Sequence, residues 1–302
     1  MPSADRVTLQ APAAELEATF APGAGMVGCS LRHRGEELLG QRGGVDAYVA
    51  QRKTMGIPLL YPWANRLSRR HFELGGREVV IDPDATPLRL DDNGLPMHGL
   101  LSGVEGWEVV RHDDAVLAAS FDFAAQDALI AAFPFPHRID FEATLAGPAL
   151  TIAITITPTG DDAVPIAFGF HPFFQLPGVA RGEWEIEIPV REQLRLDPEM
   201  LPTGERMAAH VAPGRLGSRT FDDAYTAPPD GAPFALSGGG RRIELAFDAG
   251  YPFAQVYAPP DDDVIAFEPM TAPTNALVDG GEALPLVAPG ERYRAAFTIT
   301  VR

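Results

Sequence analysis

The chain has 302 residues, 46% of them hydrophobic, enough for a large buried core and far from the composition of a disordered chain. A formal charge of −17 and a pI of about 4.7 set it against phosphate backbones and anionic lipid surfaces, so neither nucleic acid nor membrane is expected as a partner. A neutral or cationic small ligand is compatible, whereas an anionic one needs a local basic pocket, and the single cysteine, Cys29, excludes an intrachain disulfide and fits a reducing compartment.

The opening "MPSADRVTLQ" lacks a basic stretch followed by an apolar one and does not read as a signal peptide. No run of about 18 apolar residues occurs, so no membrane span is predicted and the chain is expected to be soluble and cytoplasmic. "REVVID" (77–82) and "WEVVRH" (107–112) are short strand candidates, and "AAQDALIAAF" (124–133) suggests a short helix. "LTIAITIT" (150–157) sets Leu150, Ile152, Ile154 and Ile156 against Thr151, Ala153, Thr155 and Thr157. "EWEIEIPV" (183–190) puts Trp184, Ile186, Ile188 and Val190 on one face and glutamates on the other. "SGGGRR" reads as a hairpin loop feeding the strand "RRIELAFD", and "RAAFTITVR" closes the chain with Phe297, Ile299 and Val301 on one side. These period-two patterns predict half-buried strands. With 30 glycines and 29 prolines clustered between them, they predict an all-β fold in one domain over residues 1–302, two packed antiparallel sheets or a barrel.

Four stretches place polar side chains in apolar surroundings. In "GIPLLYPWANRLSRR" (56–70), Asn65 and Arg66 follow Tyr61 and Trp63. Arginine offers a rigid fork of donors to an oxygen-rich ligand, and the two aromatics could present flat faces to a sugar ring. "NGLPMHGLL" (93–101) sets His98 before Gly99, and "AFGFHPFFQL" (167–176) sets His171 among four phenylalanines and before Pro172. "VIAFEPMTAPTNAL" (264–277) ends a short apolar strand on Glu268, which needs a partner if buried. "TFDDAYT" (220–226) adds Asp222 and Asp223 as hydroxyl acceptors. Read alone, each admits a structural explanation: a surface ion pair, a satisfied core histidine, a carboxylate capping a turn. The seven histidines show neither His-x-His nor His-Glu-x-x-His spacing, so no metal site is expected, and neither a Gly-x-Ser-x-Gly elbow nor a Walker loop occurs.

In order, "YPWANRL", "MHGLL", "GFHPFF", "DDAY" and "FEPMTAPTNAL" make the chain resemble the aldose 1-epimerase family, the galactose mutarotase-like proteins. The closing "PLVAPGERYRAAFTI" is also similar to that family's final strand pair. The resemblance implies a large antiparallel β-supersandwich of the galactose mutarotase-like type. It implies Glu268 as general base and His171 as general acid. Arg66, His98 and Asn65 would bind the sugar, together with Asp222 (or its neighbour Asp223) and Gln255; Tyr225 completes the Asp-x-x-aromatic element. The implied reaction interconverts the α and β anomers of a free monosaccharide and requires no cofactor, metal or covalent intermediate.

A carboxylate and an imidazole suit that chemistry, because one takes the anomeric hydroxyl proton while the other gives a proton to the ring oxygen. His171 must then start protonated, so an acidic neighbour raising its pKa is expected, with Phe170 and Phe173 as a dry wall around it. Three other readings stay open at this level. A hexose-6-phosphate 1-epimerase could use Arg69 and Arg70 for the phosphate. A sugar-binding protein of the same fold would not turn substrate over. A glycoside hydrolase would need a second carboxylate against Glu268, and the sequence points to no clear one.

Overall fold

The computed structural model describes residues 6–302; of the opening segment considered for a signal peptide, residues 1–5 lie outside the described residues. Two large antiparallel sheets form the body. The first runs in the order Glu108–His112, Val116–Asp122, His137–Ala146, Ala149–Pro158, Tyr293–Val301, Arg241–Ala249, Phe234–Gly238, Glu185–Glu187, Gly214–Arg215. Its centre is the alternating stretch recognised from sequence. Leu150 pairs with Ile299 and Ile152 with Phe297, and all four side chains are buried. Placing β-branched residues every second position gives one continuous apolar face, and each fully buried Ile or Phe contributes roughly 1.5–3 kcal/mol.

The second sheet runs Pro202–Ala208, Glu192–Leu196, Phe221–Thr226, Phe253–Ala258, Ile265–Met270, Gly169–Phe170, Leu59–Leu60, with Phe173–Phe174 also paired on Ile265–Met270. It packs on the first through aromatic side chains. Phe267 stacks on Phe234 at 5.2 Å and Phe170 meets Phe297 edge-on at 5.0 Å. A four-stranded sheet, Val7–Ala11, Leu16–Ala21, Val27–His33 and Glu36–Glu37, covers the first sheet elsewhere, with Phe20 against Phe141.

Several local expectations hold. The strand Phe234–Gly238 returns through Gly239 and Gly240, both at positive φ, into Arg241–Ala249, as a tight hairpin requires. The helix Asp127–Ala132 falls inside "AAQDALIAAF". In "EWEIEIPV" only Glu185–Glu187 is strand, yet Trp184, Ile186, Ile188 and Val190 are all buried. The helix Gly44–Gln51 was not anticipated. It buries only Tyr48, so no apolar stripe marks it in the sequence. No helix among the described residues is long and apolar enough to cross a membrane.

Candidate active site

The strand Ile265–Met270 is buried along its whole length. Because side chains alternate, Phe267 faces the core between the sheets and Glu268 faces the other way. Register carries that face outward. Glu268 pairs with Gln255, two residues before Tyr257, and Tyr257 pairs with Asp222. Glu268, Gln255, Tyr257 and Asp222 therefore share one face, and Asp223 lies on the other, where its carboxylate accepts from Gln193 Nε2 at 2.8 Å. Asp222 lines the cleft on this face and Asp223 does not, which decides between the two aspartates. Gln255 is buried and donates from Nε2 to Asp222 Oδ1 at 2.7 Å, so it acts on the cleft by holding that carboxylate.

His171 reaches the same place by register. Gly169 pairs with Met270 and Phe173 with Ala266, which puts His171 opposite Glu268. Pro172 has no N–H to give the ladder. The His171 N–H instead donates to the Pro58 carbonyl at 3.2 Å. The imidazole Nε2 lies 3.1 Å from Glu268 Oε1, and the ring stacks on Phe173 at 4.0 Å. Phe173 is thus the wall foreseen in the sequence, while Phe170 turns into the core.

Two loops close the cleft. Asn65 and His98 both take positive φ, and the His98 N–H donates to the Asn65 carbonyl at 2.8 Å. Gly99 must be glycine at this crossing, since a Cβ there would sit 2.1 Å from the Tyr61 carbonyl oxygen. Arg66 is fixed through Nε to Asp91 Oδ2 at 2.8 Å and through Nη1 to Asn65 Oδ1 at 3.0 Å. Asn275, from the "TNAL" stretch, accepts from the Ser68 N–H and donates its own N–H to the Arg66 carbonyl. It secures the loop that carries Arg66.

The resulting cleft has a volume of about 320 Å³ and gathers Asn65, Arg66, His98, His171, Asp222 and Glu268. Sequence reasoning missed Arg42, Arg89, Asp91 and Tyr257, which also line it. Arg89, Asp91 and Tyr257 lie within nine residues of His98 or Gln255, but no motif singled them out, and Arg42 comes from a separate segment. A larger groove of about 790 Å³ lies over the four-stranded sheet. It contains none of the motif residues, and its carboxylate Glu37 is already engaged by Ser30 and by the Leu31 and Leu39 N–H groups. Among the described residues no group of three or more His, Cys, Asp or Glu is placed to hold a metal ion.

Three expectations need correction. Tyr61 and Trp63 are fully buried and offer no face to a ligand; Tyr61 OH instead bonds His137 Nε2 at 2.6 Å. Arg69 and Arg70 are exposed and lie outside the cleft lining. The pKa of His171 is not raised but pulled well below the usual histidine value by burial, reinforced by Arg42 and Arg89. Glu268 moves the opposite way: burial and then Asp222 push it well above the usual carboxylate value, with Arg66 acting against them. Both shifts favour the neutral forms. Burial thus favours carboxylic acid at Glu268 and neutral imidazole at His171 in the unliganded cleft. His98 is likewise kept neutral, first by burial and then by His171 and the arginines.

Unmet bonding capacity gathers around this cleft. Glu268 Oε2, His171 Nδ1, His98 Nδ1 and Gln255 Oε1 are buried and find no partner in the protein. Such groups are costly to leave unpaired and are found where a ligand's polar atoms are to be received.

A family model for aldose 1-epimerase matches residues 5–300. The chain is 24% identical over 268 residues to the uncharacterized protein YphB of Escherichia coli strain K12, covering 80% of this chain and 82% of that protein. Among solved structures it is similar to the Slr1438 protein of Synechocystis sp. PCC 6803, with a TM-score of 0.76, 23% identity and coverage of 99% and 96% of the two chains. It is also similar to a galactose mutarotase-like protein of Clostridium acetobutylicum, with a TM-score of 0.82, 16% identity and coverage of 96% and 93%. The antiparallel sandwich described above is thus the galactose mutarotase-like fold.

Proposed function

Since this chain belongs to the aldose 1-epimerase family, we propose that it interconverts the α and β anomers of an aldose by opening and closing the sugar ring, with Glu268 and His171 as the proton-transfer pair. The observation that carries this reading is the 3.1 Å contact between His171 Nε2 and Glu268 Oε1 at the base of a cleft. The two oxygens that exchange protons in the reaction are bonded to the same carbon, C1. An acid and a base that serve them must therefore be neighbours, as these two are.

The proton inventory also fits. A single proton on the pair can rest as carboxylic acid and neutral imidazole, or as carboxylate and imidazolium. Sugar hydroxyls entering the cleft supply the bonds that the second arrangement needs, and the positive charge of Arg66 favours carboxylate at Glu268. Glu268 then takes the proton from the anomeric hydroxyl and His171 gives its proton to the ring oxygen. The C1–O5 bond breaks as the C1–O1 double bond forms. Rotation about C1–C2 presents the other face of the carbonyl, and the same two groups reverse their roles to close the ring. Arg66, fixed by Asp91 and Asn65, and His98 orient the hydroxyls so that O1 and O5 meet the correct partners. Each step is carried by the chain's own acid, base and donors.

The test is nuclear magnetic resonance exchange spectroscopy between the two anomers of common aldoses, with and without the protein. Enzyme-dependent exchange is expected. A protein that binds an aldose in calorimetry without accelerating exchange would instead be a sugar-binding member of the fold.

A further inference from the structure

Three guanidinium groups line the cleft, and they differ in how their charge is answered. Arg66 is paired with Asp91 at 2.8 Å and Arg42 with Asp262 at 3.1 Å. Arg89 has no ion pair and no hydrogen bond among the described residues, although Asp92 also lines the cleft. It is partly buried, on the strand Arg89–Leu90 that pairs with Pro96–Met97. That hairpin also carries Asp91 and leads into His98. In a chain with 41 acidic and 24 basic residues, a cleft arginine left without an acid stands out. Burial and the nearby charges of Arg42 and Arg66 act against its charged form more strongly than Tyr257 and Asp92 act for it.

A hydroxyl group could accept a hydrogen bond from Arg89 but would leave that repulsion unanswered. An anion offsets it and matches the planar donor fork with two bonds. The Glu268 side of the site is acidic, with Asp222 close enough to Glu268 to raise its pKa, so an anionic group is disfavoured there. Arg42 lies on the histidine side, its guanidinium 4.8 Å above the Phe173 ring that stacks on His171. Resting on the epimerase reading of the same cleft, we propose that the aldose carries an anionic substituent, a carboxylate or a phosphate, on the His171 side of the cleft, and that Arg89 is its charge partner with Arg42 beside it. The basic pocket that the acidic composition demands for an anionic ligand is thus built by Arg42 and Arg89, not by Arg69 and Arg70.

Exchange kinetics for glucose, glucose 6-phosphate and glucuronate test this, with the wild type, Arg89→Met and Arg89→Lys. At least one anionic sugar is expected to exceed glucose in kcat/KM by about tenfold or more, the scale of one charge-assisted contact. Arg89→Met brings that ratio towards one, and Arg89→Lys restores part of it. Preference for the phosphate alone or for the uronate alone identifies the group. If glucose is turned over as well as both anions, or if the ratio survives Arg89→Met, the inference is overturned while the epimerase reading stands. If no sugar is turned over, the epimerase reading fails, and calorimetry with the two anions decides this one. Binding weakened about tenfold in Arg89→Met would support it, and no binding of either anion would overturn it.

Discussion

Two buried histidines of this protein each lie against an oxygen of another side chain, and their surroundings differ. His137 Nδ1 donates to the Phe135 carbonyl at 2.5 Å and its Nε2 accepts from Tyr61 OH at 2.6 Å. Both nitrogens are satisfied, the ring stacks on Phe123 at 4.5 Å, and burial holds its pKa at about 4. His171 is 5% exposed at the cleft and its pKa is likewise lowered by burial, but its Nδ1 and the Oε2 of its partner Glu268 have nothing to bond within the protein. Burial is common to both, so burial does not distinguish a structural histidine from a chemical one. The completeness of the hydrogen bonding does.

Breaking the incomplete pair has the largest expected effect. Glu268→Gln or His171→Asn lowers turnover by about 10²–10⁴-fold, the usual weight of one general acid or base. Polarimetry of a freshly dissolved α-aldose reads this, with circular dichroism to check the fold. A Glu268→Gln protein at near wild-type rate would end the assignment of Glu268 as base.

Breaking the complete pair should cost stability instead. Tyr61→Phe leaves His137 Nε2 buried without its donor, a loss of about 1–3 kcal/mol in urea unfolding. An unchanged midpoint would show that the bond is replaceable. Arg66→Ala is smaller in effect and different in kind: KM rises about tenfold, the scale of a lost charge-assisted bond, with less change in kcat. An effect confined to kcat would mean that Arg66 acts on the transition state alone.

The smallest effect sharpens the contrast from the stability side. The folded pKa of Glu268 is raised above the ordinary value of 4.5. Between those two values the folded protein retains a proton that the unfolded chain has released. Stability is therefore lost as pH rises through that window. Glu268→Gln removes the penalty, so the variant is expected to melt above the wild type at pH 8, with the difference shrinking as pH falls towards 4.5. Equal melting curves at every pH would mean that Glu268 is ionised without cost in the folded state.

Much of the cleft was legible before any coordinates. Glu268 in an apolar strand, which continues to Met270 rather than ending on it, His171 before a proline and the Asn65–Arg66 pair converge in the cleft, because each is a polar residue that its apolar neighbours cannot accommodate without a partner. Tyr61 and Trp63 misled for the converse reason. Aromatic rings suit a sugar face and a core equally, and only packing reveals which role they take.

The period-two alternation of residues 150–157 and 294–302 determined by itself which side chains form the core, since a strand exposes alternate residues to opposite faces. The order of the five motifs pointed to the fold and the family. Only the tertiary structure separated Asp222 from Asp223, because that choice depends on which strand lies alongside and in which register. Only it brought Arg42 and Arg89 to the cleft and showed that burial lowers the pKa of His171, which was expected to be raised. Protonation depends on desolvation and on charges a few ångströms away, and those distances are set by folding rather than by position along the chain.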